Sequence, residues 1–334
     1  MARSNNWKLD AKELSGARKR AMPDFVSPQL ATLVDEPPEG EEWLHELKFD
    51  GYRMLCHLSR GQVQFWSRNQ KDWTEKFPNL VKALQTFPAT NAILDGEVVI
   101  VDKEGRSSFQ DLQQSMRKSG TAAFVFQIFD LTYLEGYDLT AVPLLQRKLT
   151  LGELLSSIKG KTPLRYSEHV EGSGAEFFKQ ACEYRIEGII SKLATSPYQS
   201  ARNRNWLKAK CIKRQEFVVA GYTPSKNDFP GFGALILGVH EKGKLIYSGR
   251  VGTGFTIKQR LELQKKLDKI SQAAMPFSVK PKDPGLRDAH WAKPLLVAEV
   301  AFTEWTADGL IRHPSFQGLR EDKKAADVVR EEPA

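Results

Sequence analysis

The chain has 334 residues, with 49 Lys and Arg against 41 Asp and Glu and a formal net charge of +8. That length suits two domains better than one, and 41% hydrophobic residues without a dominant low-complexity tract describe packed globular domains rather than a disordered chain. The opening residues lack the apolar run of a secretory leader and no later stretch reads as a membrane span, while Cys56, Cys182 and Cys211 have the number and spacing of neither a disulfide framework nor a zinc ribbon, so a cytoplasmic, reducing setting is expected.

In chain order, residues 1–22 read as a polar lead-in, and Glu36-Pro37-Pro38-Glu39-Gly40 as a loop feeding the first strand. Residues 52–59 and 63–67 alternate as strands joined across Arg60-Gly61. Further strands are expected at 92–94, 98–101 and 124–131, with Asp95-Gly96 open to reading as a turn. Helices are expected at 80–86, 110–116, 145–158 and 175–184. This mixture predicts an α+β domain with antiparallel sheets over residues 23–212.

From residue 213 to 334 the texture changes to short strands, at 217–222, 234–239, 245–251 and 297–305. One helix at 256–270 interrupts them, with Ile257, Leu261, Leu267 and Ile270 able to share a face. That pattern predicts an all-β Greek-key barrel of the OB type. Gly238 to Lys244 approaches a phosphate-binding loop, but Leu245 replaces the required Ser or Thr, and a hairpin turn is the better reading.

The most informative stretch is Glu46-Leu47-Lys48-Phe49-Asp50-Gly51-Tyr52-Arg53. A lysine at a strand end, before an Asp-Gly turn that brings an arginine back, is placed to act as a nucleophile if cations or burial lower its pKa. Alone, Lys48 would read as an ordinary hairpin charge. It is followed in order by Ser67-Arg68-Asn69, Asp95-Gly96-Glu97, Phe129-Asp130, Glu187-Gly188-Ile189-Ile190-Ser191-Lys192 and Trp206-Leu207-Lys208-Ala209-Lys210. Each fragment separately could be a turn, a core strand or an edge strand.

Together they resemble the ordered motifs of the covalent nucleotidyltransferases, which include ATP-dependent DNA ligases, RNA ligases and capping enzymes. The resemblance implies that Lys48 carries a covalent AMP, that Phe129 stacks on adenine, and that Glu46, Arg53, Arg68 and Glu97 contact the nucleotide. It further implies that Glu187, with Asp50 and Glu97, holds Mg²⁺ or Mn²⁺, and that Lys208 and Lys210, on one face of a strand, reach the α-phosphate of ATP.

Arg312-His313-Pro314-Ser315-Phe316, followed by Arg320-Glu321-Asp322-Lys323, resembles the last motif of DNA ligases, which implies that Arg312 and Lys323 orient the departing pyrophosphate. Pro23 to Val34, Gly221 to Pro224 and Gly249 to Phe255 resemble segments of the ligase module of bacterial end-joining ligases of the LigD type, so the likeness runs from about residue 23 to 323. That family's polymerase and phosphoesterase modules are not matched. Partners implied are nicked or broken duplex DNA, a Ku-like end-binding protein and a separate repair polymerase, for a monomeric, nucleoid-associated bacterial enzyme acting off the membrane. Basic clusters at 48–68, 202–214 and 312–324 fit such a polyanion. Rival readings are an RNA ligase or capping-type enzyme, and a catalytically silent DNA-binding adaptor.

Overall fold

The computed structural model describes residues 10–116, 123–225 and 230–333. The chain divides into two compact units, Met1–Cys211 (with Pro333–Ala334) and Ile212–Glu332.

The first unit runs β1 (Arg18–Lys19), β2 (Leu30–Leu33), β3 (Gly40–Leu47), β4 (Tyr52–Ser59), β5 (Gln62–Ser67), α1 (Pro78–Leu84), β6 (Asn91–Val99), α2 (Phe109–Met116) and β7 (Val125–Leu134). It continues with β8 (Tyr137–Asp138), α3 (Leu144–Ser156), β9 (Leu164–Tyr166), β10 (His169–Gly172), α4 (Gly174–Glu183), β11 (Gly188–Leu193) and β12 (Arg202–Lys210). Among the described residues these strands form two sheets, β1-β8-β7-β6-β4-β5 with β9 beside β7, and β10-β3-β11-β12-β2. Most pairs are antiparallel; β7–β9 and β12–β2 are parallel.

Alternation decides which faces are buried. Tyr52, Met54, Cys56 and Leu58 of β4, Leu94 and Val98 of β6 and Phe126 and Ile128 of β7 enter the main core with Phe77, Leu80 and Leu84. In the second sheet Leu47, Ile189, Leu207 and Ala209 pack with Phe177, Phe178 and Ala181 of α4. The β4–β5 turn puts Arg60 and Gly61 at φ of 49° and 86°, the two positive values that a two-residue hairpin needs.

Three expectations need correction. Residues 1–9 of the lead-in lie outside the described residues, but the rest is part of the domain: Arg18–Lys19 pairs with β8, and Ala11 and Leu14 are buried in the main core. Asp95-Gly96 is no turn, because β6 runs straight through it, with a register shift against β7 at that point. Gly96 permits this, since a Cβ there would lie 2.5 Å from the Phe126 ring.

The third concerns cysteine. Cys182 and Cys211 form a disulfide across 29 residues, with Cα atoms 5.1 Å apart, and only Cys56 is a free, buried thiol. The bond closes a loop holding Glu187, Lys192, Lys208 and Lys210. Loop-closure entropy makes such a link worth about 3.6 kcal/mol. Reductant, or Cys182→Ser, should therefore lower the unfolding free energy of this unit by about that amount in denaturant titrations; coincident curves with and without reductant would contradict the bond's contribution.

The second unit comprises β13 (Lys213–Pro224), β14 (Phe232–Glu241), β15 (Lys244–Val251), α5 (Ile257–Asp268), β16 (His290–Phe302), β17 (Glu304–Trp305), β18 (Ile311–Arg312) and β19 (Ser315–Leu319). Its main sheet is β15-β14-β13-β16-β19, with β17 and β18 as a separate pair. The expected barrel is not closed by strand pairing: among the described residues β15 and β19 are the sheet's two ends. Lys242-Gly243 makes the expected β14–β15 turn, again with two positive φ values, 49° and 76°. Thr256 caps α5 in a reciprocal box with Gln259. The helix buries Arg260, Leu263 and Leu267, whereas Ile257 and Leu261 are exposed, so its inner face differs from the expected one. Arg260 is held there by donating to the Phe232 and Gly233 carbonyls at 2.6 and 2.9 Å.

Candidate active site

The second sheet sets the position of Lys48. Strand β3 ends at Leu47, and the Lys48 amide continues the ladder by donating to the Gly188 carbonyl at 2.9 Å. Gly188 in turn pairs with Lys210, and Ile190 links Glu46 to Lys208 in the adjoining row. Lys208 and Lys210, two apart on β12, therefore share a face with Glu46. Gly188 has φ +154°, and a Cβ on it would lie 2.1 Å from the Ala209 carbonyl oxygen. Only glycine fits, and it leaves no side chain between Lys48 and Lys210.

The Lys48 ammonium donates to Glu187 Oε1 at 2.5 Å. The side chains are 22% and 6% exposed, so this is a largely desolvated ion pair. Burial pulls the Lys48 pKa down, but Glu187, with Asp50 and Glu97 behind it, outweighs burial and holds it above the ordinary lysine value. The sequence pattern leads one to expect a lowered pKa; the direction is the opposite, because Glu187, with Asp50 and Glu97, outweighs burial.

Asp50 is tied to α2. Its amide donates to Ser107 Oγ at 2.8 Å, and its Oδ2 accepts the Phe109 amide at 3.2 Å. Glu97 lies opposite Arg53 in the β4–β6 register. Among the described residues no three His, Cys, Asp or Glu side chains gather closely enough to hold a metal by themselves, so Asp50, Glu97 and Glu187 do not form a closed protein cage. Hard carboxylate oxygens around one cation nevertheless fit Mg²⁺ or Mn²⁺ of the kind that takes one or two carboxylates and completes its shell with water and phosphate oxygens.

Arg53 is committed to the protein. Its Nε and Nη2 donate to both Asp95 oxygens at 2.9 and 2.6 Å, and Nη1 donates to the Gln29 carbonyl at 2.6 Å. Tyr198 donates to Asp95 at 2.6 Å and accepts the Gln29 amide at 3.1 Å. The guanidinium carbon stands 5.2 Å from the Phe129 ring centre and 5.4 Å from that of Trp206.

Phe129 is 8% exposed and packs with Tyr198 and Trp206. Lys192 Nζ lies 4.3 Å from both the Phe129 and Trp206 ring centres and 2.8 Å from Glu46. Glu46 also receives Lys148 at 2.9 Å and the Ser167 hydroxyl at 2.6 Å. Burial alone would push the Glu46 carboxyl up, but the two lysines hold it below its usual range. Burial draws Lys192 down to about 8 despite Glu46. Glu46, expected at the nucleotide, is thus the centre of an internal ion triad.

Asp95, Tyr198, Gln29, Lys148 and Lys192 were missed as site residues. Lys192 and Asp95 lay inside quoted motifs; Gln29, Lys148 and Tyr198 carried no local signal. Arg68 is half-buried just after β5, and Lys208 and Lys210 are likewise half-buried. In the second unit Arg312 is exposed and pairs with Glu304 at 2.6 Å, while Lys323 pairs with Glu216 at 2.8 Å.

Residues 28–210 match the family model described as the ATP dependent DNA ligase domain, and residues 229–323 match the ATP dependent DNA ligase C terminal region. The multifunctional non-homologous end joining protein LigD of Pseudomonas aeruginosa is 39% identical over 319 residues, covering 95% of this chain and 38% of that protein. The LigD DNA repair protein of Mycobacterium tuberculosis is 32% identical over 336 residues, 99% of this chain and 43% of its own length. The chain thus spans about two fifths of the length of these relatives. A solved mycobacterial DNA ligase D complexed with ATP and MES is 34% identical and superimposes with a TM-score of 0.68, covering 91% of this chain and 98% of that one.

Proposed function

The chain belongs to the ATP-dependent DNA ligases, and from that premise we propose that it seals 5′-phosphate/3′-hydroxyl nicks through a lysyl-AMP on Lys48. The observation that carries this reading is the Lys48–Glu187 pair at 2.5 Å, formed just past the end of β3 and just before β11, whose neighbour β12 carries Lys208 and Lys210.

In the first step the neutral Lys48 amine gives its lone pair to the α-phosphorus of ATP. The bond to pyrophosphate breaks with its electrons on the leaving group, and Glu187 takes the amine's proton. Lys208 and Lys210 offset charge gathering on the α-phosphate oxygens, and the ligase motif that Arg312 and Lys323 complete assigns them to the departing pyrophosphate. A 5′-phosphate oxygen of the nick then attacks the same phosphorus, and the Lys48 nitrogen leaves with a proton. Finally the 3′-hydroxyl oxygen attacks the 5′-phosphorus in line, its proton passing to solvent, and AMP departs with the electrons of the broken bond. Bound Mg²⁺ or Mn²⁺, held through Glu187 with Asp50 and Glu97, supplies neutralisation of phosphate oxygens. Phe129 serves as the adenine platform, with Glu46 and Arg53 shaping the pocket from behind and Arg68 near the sugar.

Because Lys48 is held protonated by its carboxylates, the fraction of attacking amine grows tenfold per pH unit below its raised pKa. Lysyl-AMP formation should therefore climb with pH across the neutral and mildly alkaline range without a plateau. A flat profile from pH 6.5 upward in single-turnover measurements would contradict the proton loss. We place the enzyme in bacterial double-strand break repair by end joining, as a cytoplasmic, nucleoid-associated monomer working with a Ku-like end-binding protein and a separate repair polymerase. The test is sealing of a nicked duplex with ATP, with GTP, and with an all-RNA nick. Sealing confined to ATP and DNA is expected; preference for GTP or RNA would favour a capping-type enzyme or RNA ligase.

A further inference from the structure

Glu187 lies outside regular structure, because α4 ends at Glu183 and β11 begins at Gly188. Whatever fixes the connection 184–187 therefore fixes the carboxylate that meets Lys48. The connection is folded as a helix-ending turn: the Ile186 amide donates to the Ala181 carbonyl at 2.9 Å, and the Arg185 amide to the Cys182 carbonyl at 3.0 Å. These are the paired bonds of a Schellman cap, which needs one left-handed residue and favours glycine there. Arg185 takes that place with φ 58°, a conformation its side chain disfavours. The turn is accordingly held less firmly than one capped by glycine.

On its other side the Glu187 carbonyl accepts the Cys211 amide at 3.0 Å. This rung lies just beyond the ends of both strands, since β12 stops at Lys210, and rungs at strand ends open readily. The Cys182–Cys211 disulfide pins it. It joins the helix residue from which the turn hangs to the residue that holds Glu187 by the main chain. Helix end, turn, hydrogen bond and disulfide thus make one closed circuit around Glu187. Both cysteines are half-buried, and Glu183, Tyr184 and Ile212 beside them are exposed, so a small thiol can approach.

We propose that this disulfide positions Glu187 and acts as a redox switch on lysyl-AMP formation: closed, it fixes the carboxylate on Lys48, and opened by a dithiol reductant it lets the 184–187 turn loosen. In the opening step a thiolate of the reductant attacks one cysteine sulfur, and the S–S bond breaks with its electron pair on the other. The reductant's second thiol then displaces the first cysteine, so the pair gains two electrons and two protons and the reductant leaves as a cyclic disulfide. In the cytoplasm proposed above, where thiol reductants abound, disulfides are usually of this reversible, sensing kind. The inference rests on the role given to Glu187 above, and its test separates the two.

Single-turnover lysyl-AMP formation from α-labelled ATP and Mg²⁺ is followed in the whole chain, oxidised, reduced with dithiothreitol and reoxidised, for the wild type and Glu187→Gln. Thiol titration confirms the redox state and circular dichroism the fold. At saturating ATP the reduced wild type should be slower by about fivefold to thirtyfold, short of the roughly 10² that misplacing an attacking atom by about 1 Å costs. The half-saturating ATP concentration should hold steady, and reoxidation should restore the rate. In Glu187→Gln, reduction should cost nothing more, because no carboxylate is left to misplace; a bond that only stabilises the fold would not distinguish the two backgrounds. Equal rates for oxidised and reduced wild type, or an equal slowing in Glu187→Gln, overturns the switch. If the reduced chain is unfolded, Cys182→Ala with Cys211→Val, which fills the space without the bond, is read instead. It should show the same loss and no response to reductant, and a wild-type rate in it overturns the switch. Absence of label in the oxidised wild type, or a Glu187→Gln enzyme as fast as wild type, would contradict the roles of Lys48 and Glu187 themselves.

Discussion

Glu187→Ala is expected to slow lysyl-AMP formation by about a hundredfold to a thousandfold, with folding intact. Two effects oppose each other. Removing the carboxylate 2.5 Å from Lys48 lowers the lysine's pKa and leaves more neutral amine at any given pH. It also removes the proton acceptor, the group that aims the amine, and a hard oxygen for the metal. General acid–base help is worth about 10² to 10⁴ and misplacement of an attacking atom about 10², whereas the gain is confined to a larger neutral fraction of an amine that is no longer aimed. Loss therefore wins. Glu187→Gln, which keeps the shape without the charge, should show the same loss together with a pH profile that bends to a plateau at lower pH than the wild type. A Glu187→Ala enzyme within about threefold of wild type, far short of the roughly 10² expected for loss of general base help, would remove Glu187 from the mechanism.

The second large effect concerns stability. Arg147 and Asp130 are both fully buried and meet through two hydrogen bonds at 2.7 and 2.9 Å, and Arg147 also donates to the Val142 and Ser196 carbonyls. Burial would raise the Asp130 pKa, but Arg147 holds it below the usual carboxylate range. Asp130→Ala leaves a guanidinium in the interior with part of its partners gone, a loss of about 3 to 5 kcal/mol. For a unit of this size that corresponds to about 10 °C in thermal midpoint. Replacing both by apolar residues of similar volume, Asp130→Leu with Arg147→Met, should recover much of the loss. The sign with pH follows from the lowered pKa: the pair's contribution is complete above the unfolded Asp value and fades as pH falls through the folded one. An Asp130→Ala midpoint unchanged in denaturant would show that the pair is not desolvated in solution.

How much of this was legible in the sequence depends on the reach of each interaction. The β4–β5 hairpin was readable because alternation and the Arg60-Gly61 turn are local, and α3 and α4 because their apolar spacing is. Lys48, Glu187, Lys208 and Lys210 were readable as an ordered set, and the register of β3, β11 and β12 puts the pair and the two lysines on neighbouring rows. What could not be read was pairing at a distance. The pKa of Lys48 depends on a carboxylate 139 residues away, and that of Glu46 on Lys148 and Lys192, both more than a hundred residues away. Arg53 looks available for a sugar or phosphate in the sequence because its partner Asp95 lies 42 residues away. Cys182 and Cys211 looked unrelated for the same reason, since only the packing of α4 against the second sheet brings them together.

The central claim is that Lys48 is the covalent nucleotide carrier. It is tested most directly by incubating the chain with α-labelled ATP and Mg²⁺ or Mn²⁺, separating it under denaturing conditions and mapping the labelled peptide. The account predicts acid-labile AMP on Lys48, absent from Lys48→Ala and discharged by nicked DNA. Label that is absent from the wild type, persists in Lys48→Ala, or withstands acid would contradict it.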